Sequence, residues 1–378
     1  MDFLIEGILS ITWQQILMMI VGVVLIYLAI VKNLEPSLLM PMGFGAILVN
    51  IPMSGVLTQT LTGIGEVTGI IDWLFEVGIE SSEMMPLLLF IGIGAMIDFG
   101  PLLSNPKLLL FGAAAQFGIF ATITLATALG FNLTDAASIG IIGAADGPTS
   151  ILVSQVLGSN YIGPIAVAAY SYMALVPIIQ PFAIKLVTTK KERAMRMKYN
   201  PKSVTKRTRI LFPIIVTIIA GLVAPASIAL VGFLMFGNLV RECGVLNSLS
   251  DTAQNALANL ITLLLGITIS ASMTAETFVR WDTMLIMGLG LVAFVFDSIA
   301  GVLFAKLLNL FSKEKVNPMI GAAGISAFPM SARVIQKMGL EADSQNHLLM
   351  HAVGANVSGQ IASVIAGGVI INLIPRLL

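Results

Sequence analysis

The sequence predicts an all-α polytopic membrane protein built from two inverted repeats, each with about five transmembrane helices and one re-entrant, glycine-rich hairpin. Three observations support this class. The 378 residues are 57% hydrophobic and only 11% charged, whereas soluble domains carry roughly 25% charged residues. Two polar, glycine-rich segments interrupt the apolar sequence at corresponding places in its two halves. A strongly basic segment separates those halves.

Apolar runs suited to spanning a bilayer occur on both sides of the basic segment. Several are shorter than the ~20 residues that a full span needs, so some helices are expected to be broken. The runs lie at 14–31, 37–53, 84–102, 106–130 and 162–188, and then at 209–224, 226–240, 259–272, 283–311 and 346–372.

The order of similar stretches indicates a duplication. For example, FIGIGAMIDFGPLLSNPKLLLFG (90–112) resembles LLGITISASMTAETFVRWDTMLIMG (264–288). An odd number of spans per half places the two halves antiparallel in the membrane. The predicted organisation is a first repeat over 1–188 with a hairpin near 136–158, a linker over 189–208, and a second repeat over 209–378 with a hairpin near 317–338.

Charge placement predicts the orientation. Ten of the 20 basic residues fall within 185–209, so this linker is expected in the cytoplasm by the positive-inside rule. With the N-terminus outside, Lys32, Lys107 and Arg241 also fall on the inner side. The net charge is zero, which gives no sign of nucleic-acid binding.

The two polar segments are IGAADGPTSILVSQVLG (142–158) and IGAAGISAFPMSARVIQKMG (320–339). A bilayer offers no water to free backbone groups, so irregular polar backbone survives at membrane depth only where it lines a site. Two such segments in matching positions point to a transport site between inverted repeats.

Asp146 is the main candidate in the first segment. An intramembrane carboxylate is costly and marks an ion or proton path by default. The hydroxyls of Thr149 and Ser150, and carbonyls freed where Gly147 and Pro148 break the helix, are oxygen ligands that suit sodium. The alternative is an Asp that caps a helix at the membrane edge.

The second segment contributes Asn317, Ser326 and Arg333, with Gly321 and Gly324 permitting close backbone approach. Asn317 precedes a proline and could instead form an ordinary turn. Arg333 is expected to pair with a carboxylate of another segment or of a ligand, unless it snorkels to the cytoplasmic edge.

Four further residues leave their roles open. Tyr170 and Tyr172 follow the first hairpin, and each could be an interfacial anchor or a phenol that hydrogen-bonds or carries a proton. Asp98 and Asp297 are intramembrane acids that could be second ion ligands or paired structural charges.

GAADGPTS, SYMAL and NPMIGAAGISAFPMSARV together resemble the β subunit of the sodium-pumping, biotin-dependent decarboxylases of glutaconyl-CoA, methylmalonyl-CoA and oxaloacetate. The resemblance covers essentially the whole chain, including IYLAIVKNLEPSLLMPMGFGAILVN near its start. It implies a subunit in the cytoplasmic membrane of a bacterium or archaeon that decarboxylates carboxybiotin, exports sodium and consumes a proton.

The resemblance also implies roles for individual residues. Asp146, Tyr172 and Arg333 are expected to be catalytic, with Tyr172 relaying a proton towards biotin. Carboxybiotin is expected at Asn317, Ser326 and Arg333, where the guanidinium faces the anionic carboxylate. Sodium is expected at Asp146, Thr149, Asn317, Gly321 and Ser326, and it competes with a proton at Asp146.

The implied partners are an α carboxyltransferase, a biotinyl carrier and a small membrane-anchored subunit, besides lipid and a possible second copy of the chain. The acyl substrate is selected elsewhere, with a CoA ester such as glutaconyl-CoA favoured. From the residues alone, two other classes stay open. One is a sodium-coupled organic-anion carrier or sodium/proton antiporter without decarboxylase activity. The other is a structural membrane anchor, which leaves the paired polar segments unexplained.

Overall fold

The computed structural model describes residues 7, 9–61, 63–81, 83–198, 204–312 and 314–378. Within those residues the backbone is overwhelmingly helical. Strand is confined there to one short antiparallel pair, β1 (Gln59–Leu61) with β2 (Gly65–Val67).

The helices follow the predicted apolar runs closely. Those before the linker are α1 (Trp13–Lys32), α2 (Pro36–Val49), α3 (Ile70–Phe75), α4 (Met84–Met96), α5 (Gly100–Ser104), α6 (Leu109–Ala115), α7 (Phe117–Ala128), α8 (Leu133–Gly140), α9 (Gly147–Val156) and α10 (Ile162–Val187). Those in and after the linker are α11 (Lys190–Arg193), α12 (Lys206–Val223), α13 (Ile228–Cys243), α14 (Asn247–Asp251), α15 (Ala258–Ile269), α16 (Ala275–Phe278), α17 (Trp281–Phe311), α18 (Met319–Ala322), α19 (Met330–Ala342) and α20 (Leu349–Leu373).

Seven helical stretches of the described chain are long and apolar enough to cross a membrane. The other three predicted runs form helices that are short (α2), bent by 63° from the preceding helix (α4), or rich in bases at one end (α12). The protein is therefore an all-α, multi-pass membrane protein. The seven stretches are Trp13–Lys32, Pro106–Ala128, Ile162–Val187, Pro225–Cys243, Asn247–Ser272, Trp281–Phe311 and Leu349–Arg376.

Local signals explain where the first helix begins and ends. Thr12 and Gln15 form a capping box at the start of α1, which satisfies two amides that have no partner within the helix. Asn33, with φ of 52°, ends α1 in the left-handed conformation that is common after a helix.

Contacts between the two halves are reciprocal. The second helix of each half packs on the third spanning helix of the other, so that α2 lies on α15 and α13 lies on α4. The last helix of each half likewise packs on the helices before the other half's polar segment, α10 on α17 and α20 on α6. The two polar segments lie among α10, α17 and α20, and this arrangement positions the candidate site.

The basic linker is fastened to the second half. The Arg196 guanidinium lies 2.5 Å from the Asp343 carboxylate, and Lys306 lies 2.8 Å from Glu192. The hydrogen bonds from Arg196 lower the pKa of the Asp343 carboxyl. Residues 199–203 of the predicted linker lie outside the described residues.

Candidate functional site

The first polar segment is a broken helix whose two ends meet. After α8 a single 3-10 turn (Ile141–Ala144) leads to Ala145 in the left-handed conformation, and Asp146 then caps α9. The carboxylate of Asp135, at the start of α8, accepts hydrogen bonds from the Ser159 hydroxyl at 2.7 Å and the Asn160 amide at 3.0 Å, just beyond α9. The two ends of this segment therefore lie next to each other, and the break at Ala145 and Asp146 lies between them along the chain.

The second polar segment has the same form. The side-chain amides of Asn317, before α18, and Asn346, beyond α19, both donate to the carbonyl of Arg193 in the linker, at 3.0 and 2.9 Å. The irregular backbone between α18 and α19 includes Ser326. This segment therefore also returns to the point where it begins.

The two breaks touch each other. The Ser326 amide donates to the Ala144 carbonyl at 2.9 Å, which joins the two polar segments directly. The Ser326 hydroxyl donates to the Gly359 carbonyl at 3.0 Å, and the Gln360 side chain donates to the Ser326 carbonyl. Helix α20 therefore supports the meeting point of the two breaks.

Asp146 lies at this meeting point and is 4% exposed. Its carboxylate accepts hydrogen bonds from the Thr149 hydroxyl at 2.7 Å and the Ser363 hydroxyl at 2.8 Å. In the described chain no basic side chain forms an ion pair with it. A buried carboxylate surrounded by hydroxyl oxygens suits a hard cation with oxygen ligands. Among the described residues, no group of three or more His, Cys, Asp or Glu side chains is placed to hold a metal ion.

The two tyrosines face different surroundings. The Tyr170 ring lies against Gly147, where a Cβ would come within 2.4 Å of it, and its hydroxyl is buried near the charge of Asp146 with no hydrogen-bond partner in the described structure. Tyr172 instead packs on Gly290 and donates to the Met287 carbonyl of α17. The proton-relay role of Tyr172 stays a prediction, since its hydroxyl contacts a carbonyl rather than Asp146.

Asn317 and Gly321 have structural contacts in this conformation. The Asn317 amide also donates to the Met195 carbonyl at 2.8 Å, and its carbonyl oxygen accepts from the Met319 amide at 3.0 Å. Gly321 packs so closely on Gly301 of α17 that a Cβ would lie 1.9 Å from a carbonyl oxygen. Their predicted roles as sodium ligands stay predictions.

Arg333 lies in the first turns of α19 and is exposed. It lines a cavity of about 530 Å³ with Lys337 and Glu341. It also lines a second cavity of about 400 Å³, shared with Glu35 and Lys185. No ion pair of Arg333 occurs in the described part of the chain, so the guanidinium is available to an anionic ligand.

Asp98 and Asp297, whose roles the sequence leaves open, have different surroundings. Asp98 lies 3.3 Å from Arg209 and accepts from the Gly100 amide, and is therefore a paired structural charge. Asp297 is completely buried in α17 and forms no ion pair with a basic side chain among the described residues.

Sequence reasoning missed Ser363 and Gln360, which contact Asp146 and Ser326. Both lie in α20, whose apolar sequence is interrupted by a series of polar residues that are all buried. That series was the available signal, because polar side chains in a spanning helix face the protein interior or a cavity. Its buried members are Asn356, Ser358, Gln360 and Ser363.

Comparison with known proteins identifies the family. Residues 14–374 match the model of the Na+-transporting oxaloacetate decarboxylase beta subunit. The methylmalonyl-CoA decarboxylase subunit beta of Propionigenium modestum is 49% identical, over 97% of this chain and 96% of the relative.

Two further relatives are subunits of decarboxylases named for other substrates. The glutaconyl-CoA decarboxylase subunit beta of Acidaminococcus fermentans is 47% identical, over 98% of this chain and 96% of its own. The probable oxaloacetate decarboxylase beta chain of Vibrio cholerae is 45% identical, over 97% of each chain. This chain, a multi-pass protein of the cytoplasmic membrane, therefore belongs to the family of beta subunits of sodium-transporting decarboxylase complexes.

Proposed function

We propose that this subunit releases carbon dioxide from carboxybiotin and couples the release to sodium export, with consumption of one proton. The observation that carries the proposal is Asp146, a buried carboxylate without a basic partner in the described chain. It accepts from the hydroxyls of Thr149 and Ser363 where the two polar breaks meet. The Thr149 hydroxyl belongs to the helix that Asp146 caps, whereas the Ser363 hydroxyl reaches the carboxylate from α20.

Sodium is the transported ion at this site. The Asp146 carboxylate and the Thr149 and Ser363 hydroxyls supply its oxygen ligands, and each hydroxyl can turn its hydrogen away to present a lone pair. A proton on the same carboxylate excludes sodium, because the neutral acid no longer attracts a cation. Sodium and proton therefore compete for Asp146.

Arg333 receives the carboxylate of carboxybiotin. A guanidinium presents two parallel donors to a carboxylate. The charged residues that line the cavity with Arg333 are Lys185, Lys337, Glu35 and Glu341. Burial raises the pKa of Glu35 in the same cavity, while the nearby Arg333 opposes that rise.

Release of carbon dioxide breaks the bond between the biotin nitrogen and the carboxyl carbon. The electron pair stays on the nitrogen, which takes up the consumed proton. Moving the carboxylate out of water destabilises it relative to neutral carbon dioxide and favours this step. Tyr172 is proposed as the proton relay, and Asn317 and Ser326 as further contacts of biotin.

Transport proceeds by alternating access between two inverted repeats, residues 1–188 and 209–378, joined by the linker 189–208. Each repeat contributes one re-entrant hairpin, near 136–158 and near 317–338. The reciprocal packing of the halves supports this plan, as does the return of each polar segment to its own starting point. In such transporters one part moves against the other around a site near the membrane midplane.

The proposed partners are an α carboxyltransferase, a biotinyl carrier that delivers carboxybiotin, and a small membrane-anchored subunit. The test uses the intact complex purified through this chain and reconstituted into vesicles with the cytoplasmic face outward. A biotinylated protein is expected to co-purify, as seen on a streptavidin blot. Carbon dioxide release and radioactive sodium uptake are expected to rise together and to stop when avidin blocks biotin. Sodium movement without decarboxylation or a biotinylated partner would indicate a secondary transporter instead.

A further inference from the structure

Glu35 lies in the turn between α1 and α2, in a backbone conformation that glutamate rarely adopts. Its φ of 36° and ψ of 62° are left-handed, and Pro36 follows it. The left-handed region is disfavoured for residues with a Cβ, and a following proline favours extended conformations in the residue before it. Glycine would adopt this turn at a lower cost. A strained residue that its surroundings hold in place points to a function for its side chain.

The neighbours of Glu35 hold the turn without using its carboxylate. Leu34 is 8% exposed and belongs to a buried cluster with Leu39 of α2 and Ala174 of α10. The amides of Leu38 and Leu39 donate to the Glu35 carbonyl, each at 3.0 Å. The backbone of Glu35 therefore anchors the start of α2, and its side chain remains available for another contact.

Glu35 and Arg333 are opposite charges that line one cavity without pairing. Both line the cavity of about 400 Å³, and the positive charge of Arg333 acts on the Glu35 carboxyl group. Within the described residues, neither side chain forms a hydrogen bond or an ion pair. A carboxylate and a guanidinium that are held apart in this way leave room for a ligand between them.

The other walls of this cavity suit a flat, largely apolar ring. Ligand pockets have volumes of about 300–1,000 Å³ and combine apolar walls with a few polar groups. Of the two acids in this cavity, Glu35 is half-buried, whereas Glu341 is exposed. The apolar side chains of the wall come from α10 and α19, and they are Pro177, Pro181, Met330, Val334 and Met338.

Carboxybiotin carries the two groups that such a cavity would bind. One nitrogen of its ureido ring holds the anionic carboxyl group, and the other nitrogen keeps its N–H, which is a hydrogen-bond donor. A carboxylate of the protein accepts from an N–H in a charge-assisted hydrogen bond, but it repels another carboxylate. Arg333 and Glu35 therefore distinguish the two ends of the ring.

We propose that Glu35 accepts the free ureido N–H of carboxybiotin and thereby orients the ring with its carboxyl group towards Arg333. The inference rests on the proposed function in that carboxybiotin is the substrate bound at Arg333. Glu35 belongs to the first half of the chain and Arg333 to the second, so bound carboxybiotin spans both halves. The site is complete only when the two halves bring these side chains to one cavity.

The experiment measures decarboxylation of free carboxybiotin by the intact complex, prepared without covalently attached biotin. Initial rates are followed against carboxybiotin at saturating sodium, and against sodium at saturating carboxybiotin. Glu35→Ala is expected to raise half-saturating carboxybiotin about tenfold, a factor that corresponds to about 1.4 kcal/mol, and to leave half-saturating sodium unchanged. Glu35→Gln keeps an acceptor oxygen and is expected to recover most of that loss. Glu341→Gln, which alters the exposed acid of the same cavity, is the control and is expected to match the unaltered complex.

A carboxybiotin that is methylated on the free ureido nitrogen tests the contact itself. The methyl group removes the N–H, so the unaltered complex is expected to need about tenfold more of this compound than of carboxybiotin for half-maximal rate. Glu35→Ala has already lost the acceptor and is expected to need equal concentrations of the two compounds. If methylation raises the required concentration by the same factor in both proteins, the proposed contact is overturned.

The outcomes separate this inference from the proposed function when Arg333→Lys is measured alongside. If Arg333→Lys raises half-saturating carboxybiotin and Glu35→Ala does not, the Glu35 contact is overturned and the proposed function stands. If Glu35→Gln is as impaired as Glu35→Ala towards both carboxybiotin and sodium, the side chain only supports the turn, and the contact is again overturned. If the unaltered complex releases no carbon dioxide from carboxybiotin, the proposed function fails as well.

Discussion

The two polar segments share a sequence pattern and a broken-helix form, but their polar side chains are used differently. In the first segment, the Asp146 carboxylate lies buried among hydroxyls that can all serve as ligands. In the second, Asn317 is hydrogen-bonded to the linker and Arg333 lies exposed at a cavity. Two segments of similar form thus differ in charge, since the first holds a buried carboxylate and the second presents a guanidinium at the surface. This difference supports the proposal that the first segment binds a cation and the second an anion.

Replacement of Asp146 is expected to have the largest effect on activity, because it removes the negative charge of the first segment. Asp146→Asn keeps the size of the side chain and removes the charge that attracts sodium, so sodium-stimulated decarboxylation is expected to be abolished in an assembled complex. The measurement is carbon dioxide release from the reconstituted complex with and without sodium. Asp98→Asn is the control and is expected to keep most of the activity. Near-normal stimulation in Asp146→Asn would remove this carboxylate from the site.

Arg333→Lys tests the anion side of the comparison. Lysine keeps the charge but loses the planar pair of donors, and a hydrogen bond to a charged group contributes about 1.5–3 kcal/mol. The rate at limiting carboxybiotin is therefore expected to fall by about ten- to one-hundredfold, with little change in half-saturating sodium. Arg196→Lys, in the exposed linker pair, is the control. Equal rates for Arg333→Lys and the unaltered complex would place carboxylate recognition elsewhere.

Acidification should sharpen the comparison, since only the first segment is proposed to exchange sodium for a proton. Protonation of Asp146 removes the sodium-binding form, so half-saturating sodium is expected to rise as pH falls. By mass action, the half-saturating sodium concentration can rise by at most about tenfold for each pH unit of acidification. It becomes constant at pH values where Asp146 is fully ionised. Decarboxylation is measured against sodium at several pH values. A constant half-saturating concentration throughout would require separate sites for the two ions.

The two tyrosine variants assign the proton path in the same measurement. Tyr172→Phe is expected to slow turnover if the relay predicted from sequence is right, whereas Tyr170→Phe alters the wall beside Asp146 and is expected to change half-saturating sodium. The two residues are two apart in α10 and point to nearly opposite sides of it, so each serves as the control for the other. Full turnover in Tyr172→Phe would exclude its phenol as the relay.

The sequence predicted what depends on local patterns. Apolar runs placed the helices within a few residues, and glycine with proline beside an acid placed the break at Asp146. Contacts between distant segments could not be read in this way. Ser363 reaches Asp146 across 217 residues. The polar series of α20 indicates that this part of the helix faces the interior, but the sequence does not specify that it meets the first break. The same holds for Asn317, whose partners Arg193 and Met195 lie in the linker.

The smallest expected effect concerns Asn317 and separates an anchor from a ligand. Asn317 and Asn346 both donate to the Arg193 carbonyl, and Asn317 also donates to the Met195 carbonyl. Replacing Asn346 by alanine therefore removes one bond to the linker, and replacing Asn317 removes two. A buried hydrogen bond lost in this way costs about 1–3 kcal/mol of stability, and both variants are expected to show it as a lower melting temperature of the complex. If Asn317 is also a sodium ligand, as the sequence predicts, only Asn317→Ala raises the sodium concentration needed for half-maximal activity. The expected rise is about threefold, because loss of a neutral ligand costs less than about 1 kcal/mol and a tenfold change in affinity corresponds to about 1.4 kcal/mol. If Asn317→Ala and Asn346→Ala require the same sodium concentration for half-maximal activity, Asn317 is an anchor of the linker and not a sodium ligand.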